Sequence, residues 1–172
     1  GGGGPPPAER RASWDAARQP ATWAWTIGTA VVVFLGVTAM QWAMHTAQVE
    51  VVPTNLPIIE DGLARHPWLV LLFAAVAAPI YEEVLFRRVL FGRFLAAGKP
   101  WLGMVLTSAV FALMHEVPGT TGNPIEATAL LWLVYATMGA AFAWVYWRTG
   151  TLWAPIVAHG LHNLATMLVL LG

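Results

Sequence analysis

The chain has 172 residues, of which 58% are hydrophobic and only 10% charged, against roughly 25% charged in a soluble domain. This composition marks a membrane protein, and a formal net charge of zero with no basic patch argues against nucleic acid as a partner. The absence of cysteine excludes disulfides, thiolate metal sites and cysteine nucleophiles.

Residues 1–21, rich in glycine, proline and charge, cannot bury enough apolar surface to fold and are expected to form a disordered tail. The absence of an initiator Met points to a fragment or a processed start. Residues 22–46 hold a first transmembrane helix, whose apolar run over 23–44 is long enough to cross a hydrocarbon core of ~30 Å. A signal-peptide reading competes, but the run exceeds an h-region of about 7–15 residues and no small-x-small cleavage site follows. Residues 47–66, with Pro53, Pro57, Glu50, Glu60 and Asp61, read as an extracytoplasmic loop with room for a short interfacial segment. Residues 67–172 form a core of four helices, over about 68–96, 101–115, 125–147 and 152–171, separated by turn-rich sequence at 98–100, 116–124 and 148–150. The expectation is an all-α, polytopic membrane bundle of about five transmembrane helices with its site between helices.

Trp23, Trp42, Trp68, Trp101 and Trp153 fall near the ends of these runs, as an interfacial aromatic belt requires. The tail, the 93–100 segment and Arg148 are basic, whereas the 47–66 and 116–126 segments are mostly acidic. The positive-inside rule then places the N-terminus in the cytoplasm and the C-terminus outside, in the cell membrane.

Within the apolar run Ala77-Ala78-Pro79-Ile80-Tyr81-Glu82-Glu83-Val84-Leu85-Phe86-Arg87-Arg88, each ionisable group costs at least ~2.5–3.5 kcal/mol to insert, which makes the cluster a functional-site hypothesis. Glu83 and Arg87 are four apart in the favourable acid-first order and can pair on one helix face. Glu82 is rotated by about 100° from Glu83. It is therefore the carboxylate left uncompensated, and a candidate general base or acid. Phe111 and His115 share a face, as do His159 and Asn163, with His162 near enough to join the latter. At 1.5 Å per residue Glu82, His115, His159 and Asn163 reach depths of roughly 10–20 Å, compatible with one site.

Blander roles compete. A single embedded His or Asn is often interhelical glue worth ~0.6 kcal/mol, Glu83 with Arg87 is most economically a structural ion pair, and Phe111 alone is ordinary packing. His45 and His66 lie at helix ends or in a loop and receive no role. Glu116 sits at the expected membrane edge, where a solvated acid needs no explanation.

Taken together, Glu82-Glu83-x-x-x-Arg87, Phe111-x-x-x-His115 and His159-x-x-x-Asn163, in that order on three hydrophobic helices, resemble the CPBP family of CAAX prenyl proteases and bacteriocin-processing enzymes, also called Abi. The resemblance covers about residues 76–170 and extends to Leu152-Trp153-Ala154-Pro155-Ile156, which is similar to the approach to the family's last motif. It implies an intramembrane glutamate protease. In that reading Glu82, assisted by His115, activates water to attack a peptide carbonyl, His159 and Asn163 stabilise the oxyanion, and Glu83, Arg87 and Phe111 support them. The chain is shorter than the family's eight-helix members, so functions needing the additional helices are not implied.

A zinc protease using Glu82, His115 and His159 is the nearest mechanistic rival, although His115-Glu116 is followed by Val117-Pro118-Gly119, not by the His-Glu-x-x-His pattern. The metal-free mechanism, with no cofactor, is the expectation. Asp15 and Asp61 lie outside the spans, which removes an aspartyl dyad, and Ser108, the only embedded serine, lacks a nucleophile-elbow context. A different class stays open: a bacteriocin-immunity protein that binds a peptide at this site without cutting it. The expected partners are membrane lipids and a peptide or protein substrate, lipidated or not.

Overall fold

In the computed structural model, which describes residues 7–120 and 122–171, the chain forms seven helices and no strand among those residues. We number them α1 (Pro7–Ala17), α2 (Pro20–Thr46), α3 (Leu56–Arg65), α4 (Pro67–Ala96), α5 (Pro100–His115), α6 (Ile125–Thr149) and α7 (Trp153–Leu171). The tail is thereby corrected over residues 7–17, which are helical; residues 1–6 lie outside the described residues. Its order comes from capping and aromatic contacts that composition does not reveal. Thr22 Oγ1 and Trp23 Nε1 donate to the carbonyls of Ala16 and Ala17 at 2.7 and 2.9 Å, satisfying acceptors that a helix end leaves free. Trp14 packs on Trp153 with ring centroids 5.3 Å apart. The 47–66 segment contains a short helix, α3, within the loop expected there.

Helices α2, α4, α6 and α7 are long and apolar enough to cross a membrane, whereas α5, at 16 residues, falls short of that length. Most large apolar side chains on the outer faces are exposed, such as Val32, Trp68 and Val105, the inverse of a water-soluble core. The protein is an integral membrane helical bundle. Prolines open α1, α2, α4 and α5, in the first-turn position where a missing N–H costs nothing, and Gly150, at φ 69°, ends α6 in the left-handed conformation.

The interior uses small residues for close approach. α2 presents Thr22, Thr26, Thr29, Ala30 and Val33 to α6 and α7, and the central cluster joins Ala30 and Val33 to Val134, Met138, Phe142 and Ala158. A second cluster joins Phe91, Met104 and Ala143. At Gly139 a side chain would press on Ser108, and at Gly103 on Phe91 and Phe94.

Helix α4 is irregular. Residues 73–77 and 84–91 widen into π turns, a feature frequent at functional sites. Pro79 explains the first. In the π register Ala78 N–H bonds the carbonyl of Phe73, and the next donor would be Pro79, which has none. The carbonyl of Ala74 therefore needs a partner from another helix.

Candidate active site

That other helix is α7. Asn163 Nδ2 donates to Ala74 O at 2.9 Å, and Gly160 lies so close to Ala75 O that any side chain there would collide with the carbonyl. Pro79, Gly160 and Asn163 thus set the register in which α4 and α7 meet at Ala74 and Ala75, about two helical turns before the glutamates.

Glu83 is fully buried at the centre of the site. Its Oε2 pairs with Arg87 Nε at 2.9 Å, and its Oε1 accepts from His159 Nδ1, also at 2.9 Å. Arg87 is equally buried; its second terminal nitrogen donates to the carbonyl of Gly139 at 3.0 Å, and its guanidinium carbon lies 5.2 Å from the centre of the Phe111 ring. A buried charge is tolerated when paired and hydrogen-bonded, and both ends of this pair meet that condition. Glu83 therefore does more than balance Arg87: it fixes the orientation of His159, whose ring also stacks on Phe142 at 4.7 Å and 16°.

Glu82 has a different environment. Its side chain keeps 20% of its surface exposed, and its Oε2 lies 3.7 Å from His115 Nε2 and 3.8 Å from His159 Nε2. Both separations exceed direct hydrogen-bond range, and among the described residues this oxygen has no hydrogen-bond partner. The two histidines aim Nε2 at it for the same reason, because each has its Nδ1 engaged elsewhere. His115 Nδ1 meets Phe111 O at 2.8 Å; a carbonyl only accepts, so Nδ1 carries the proton and Nε2 is turned to Glu82. His115 is held between two rings, Phe111 at 4.2 Å and Tyr135 at 4.7 Å.

The structure thus brings Glu82, Glu83, Arg87, Phe111, His115 and His159 together, with Asn163 on the same helix as His159, one turn on. His162 is turned away from this group: it packs edge-on to Phe34 of α2 at 6.3 Å. The sequence offered no signal for Tyr135, Phe142 or the Gly139 carbonyl, which contribute rings and a backbone oxygen from α6. Ser108 is buried against Gly139.

Glu116 is a correction. It is no solvated acid at the membrane edge but wholly buried, accepting from Thr54 N and Thr54 Oγ1 at 2.6 Å each, while its own carbonyl accepts from Trp132 Nε1 at 2.8 Å. Nearby, Asn123 exchanges two hydrogen bonds with the backbone of Val52. The segment before α3 is strapped to the end of α5 and the start of α6. Polar residues in this loop found partners more than 60 positions away, which spacing alone does not reveal.

The profile of the type II CAAX prenyl endopeptidase Rce1-like family matches residues 64–165, more than half of the chain and all of the residues above except Phe34, Val52 and Thr54. The protein belongs to this family. It is 29% identical over 109 residues to a Bacillus subtilis (strain 168) protein named "Putative membrane peptidase YdiL", a match covering 63% of this chain and 40% of that one. It is 27% identical over 153 residues to UPF0177 protein YbdI of Lactococcus lactis subsp. lactis (strain IL1403), covering 84% of this chain and 74% of the relative. The match thus spans about two fifths of the length of YdiL. No solved structure matches the chain.

Proposed function

We propose that the protein is an intramembrane endopeptidase that hydrolyses a peptide bond in a membrane-associated or hydrophobic substrate, lipidated or not, through a water activated by Glu82 and His115. One observation carries this reading: Glu82 Oε2 lies 3.7 and 3.8 Å from two histidine Nε2 atoms, a spacing suited to three groups sharing one water oxygen. Glu82 accepts the proton as the water oxygen bonds to the peptide carbonyl carbon. The oxyanion so formed is met by His159 Nε2 and by the Asn163 N–H not committed to Ala74. Collapse of the intermediate breaks the C–N bond, and the proton held at Glu82 passes to the leaving amine. His159 donates from Nε2 only if both ring nitrogens are protonated, with Glu83 as its counter-ion. Family membership and the name carried by YdiL support proteolysis; the basic and acidic segments support a cytoplasmic N-terminus in the cell membrane.

The test is comparative peptidomics of membrane and secreted fractions from cells lacking the protein, complemented with the native chain or with Glu82→Gln. New peptide termini should appear only with the native chain, and in vitro turnover should fall about 10²- to 10⁴-fold in the variant while peptide affinity persists. Identical termini and equal phenotype from both complements would replace catalysis by peptide binding, as in an immunity protein. Stoichiometric zinc in the purified protein, lost in His115→Ala, would instead make Glu82, His115 and His159 metal ligands.

A further inference from the structure

At the opposite end of the bundle from the Glu116 strap, α1 lies across the C-terminal ends of α4 and α6 and the N-terminal end of α7, tied by Ser13 Oγ to Thr151 Oγ1 at 2.9 Å and by the Trp14–Trp153 contact. Beneath it opens a cleft of about 850 Å³, a volume within the range of small-molecule sites. Three arginines line it, Arg10 from α1 and Arg88 and Arg93 from α4, against one carboxylate, Glu9. Among the described residues, none of the three forms an ion pair or donates a side-chain hydrogen bond, in contrast to Arg87, which does both. Arg88 is nevertheless half-buried. A cation withdrawn from water without a counter-ion invites an anion.

The shape of the cleft narrows the choice of anion. Its wall combines the guanidinium groups with the Tyr146 ring, the tryptophan pair, and Val89, Leu152 and Ile156. Val89 is 42% exposed on the outer face of the bundle, so apolar surface is continuous from the arginines to the lipid-facing side. Planar guanidinium groups suit phosphate oxygens, tryptophan pairs mark the headgroup level, and basic pockets at helix ends favour anionic headgroups. We propose that this cleft binds the phosphodiester headgroup of an anionic membrane lipid, with Arg88 and Arg93 on the phosphate, Arg10 closing over it from α1, and the acyl chains leaving along Val89.

The experiment is native mass spectrometry of the full chain in a non-ionic detergent, titrated with phosphatidylglycerol and with phosphatidylcholine of the same acyl composition. Phosphatidylglycerol should bind selectively. Each arginine should contribute about fivefold, so Arg88→Gln/Arg93→Gln should weaken it roughly 30-fold, and Arg10→Gln, on an exposed helix, about fivefold. Arg148→Gln is the control: it removes a charge from the same end, but one seated over Trp25, outside the cleft, and should leave binding unchanged. Equal binding of the two lipids, or an equal loss in Arg148→Gln, would overturn the proposal in favour of a general positive end. Displacement of the lipid by millimolar inorganic phosphate would overturn it in favour of a free-anion site. If the double variant is not monodisperse, Arg10→Gln alone decides: undiminished lipid selectivity there overturns the site.

Discussion

Helices α2 and α4 are similar in length and both apolar enough to span a membrane, yet they are built differently. α2 is regular from Pro20 to Thr46 and meets its neighbours through threonine, alanine and valine. α4 carries two π turns, an internal proline, two glutamates and the buried arginine. Hydropathy treats the two as equivalent; backbone donors do not. Where α4 loses its own hydrogen bonds at Pro79, it gains α7, and the residues through which α7 reaches it flank or include those that surround Glu82. Irregular backbone at membrane depth is tolerated only where protein covers it, so the irregular helix is also the one committed to specific partners.

That contrast can be broken by experiment. The largest effect is expected for Arg87→Met, which leaves Glu83 buried without its cation and should cost about 3–5 kcal/mol, read as a loss of folded protein in a detergent unfolding titration. A cost comparable to that of an α2 surface change would end the argument. Gly160→Ala should cost about 1–3 kcal/mol by forcing a methyl against Ala75 O, and activity should fall with it because His159 is the adjacent residue. Asn163→Ala leaves the Ala74 carbonyl without its donor, an expected loss of about 1–3 kcal/mol; a purely catalytic Asn163 would lower turnover and leave stability unchanged. Val32→Ala, at a position 69% exposed on α2, should stay within about 0.5 kcal/mol.

The helices and the polar residues now gathered around Glu82 were legible in sequence because charge and imidazole stand out against an apolar background, and because i,i+4 spacing states which of them share a face. What spacing does not carry is the partner across the gap. Glu83 was readable as the mate of Arg87 but not as the acceptor for His159, 76 positions away. Glu116 looked like an edge residue because burial by Thr54 and Trp132 is a tertiary event. The order of α1 is not legible in composition, because a segment that cannot build a core can still be held by one, through Trp153 and Thr151. Pro79 was visible, yet its consequence, a carbonyl handed to Asn163, depends on a helix that begins more than seventy residues later.

His115 is the last residue of α5, and the ends of helices fray. The hydrogen bonds at Glu116, the very next residue, clamp that end from two sides, one from the segment before α3 and one from Trp132 on α6. Fraying, the ordinary fate of such a position, is thereby suppressed where an imidazole must hold still, and a clip of the peptide chain near Thr54 would be felt as slackness in a ring that it never touches.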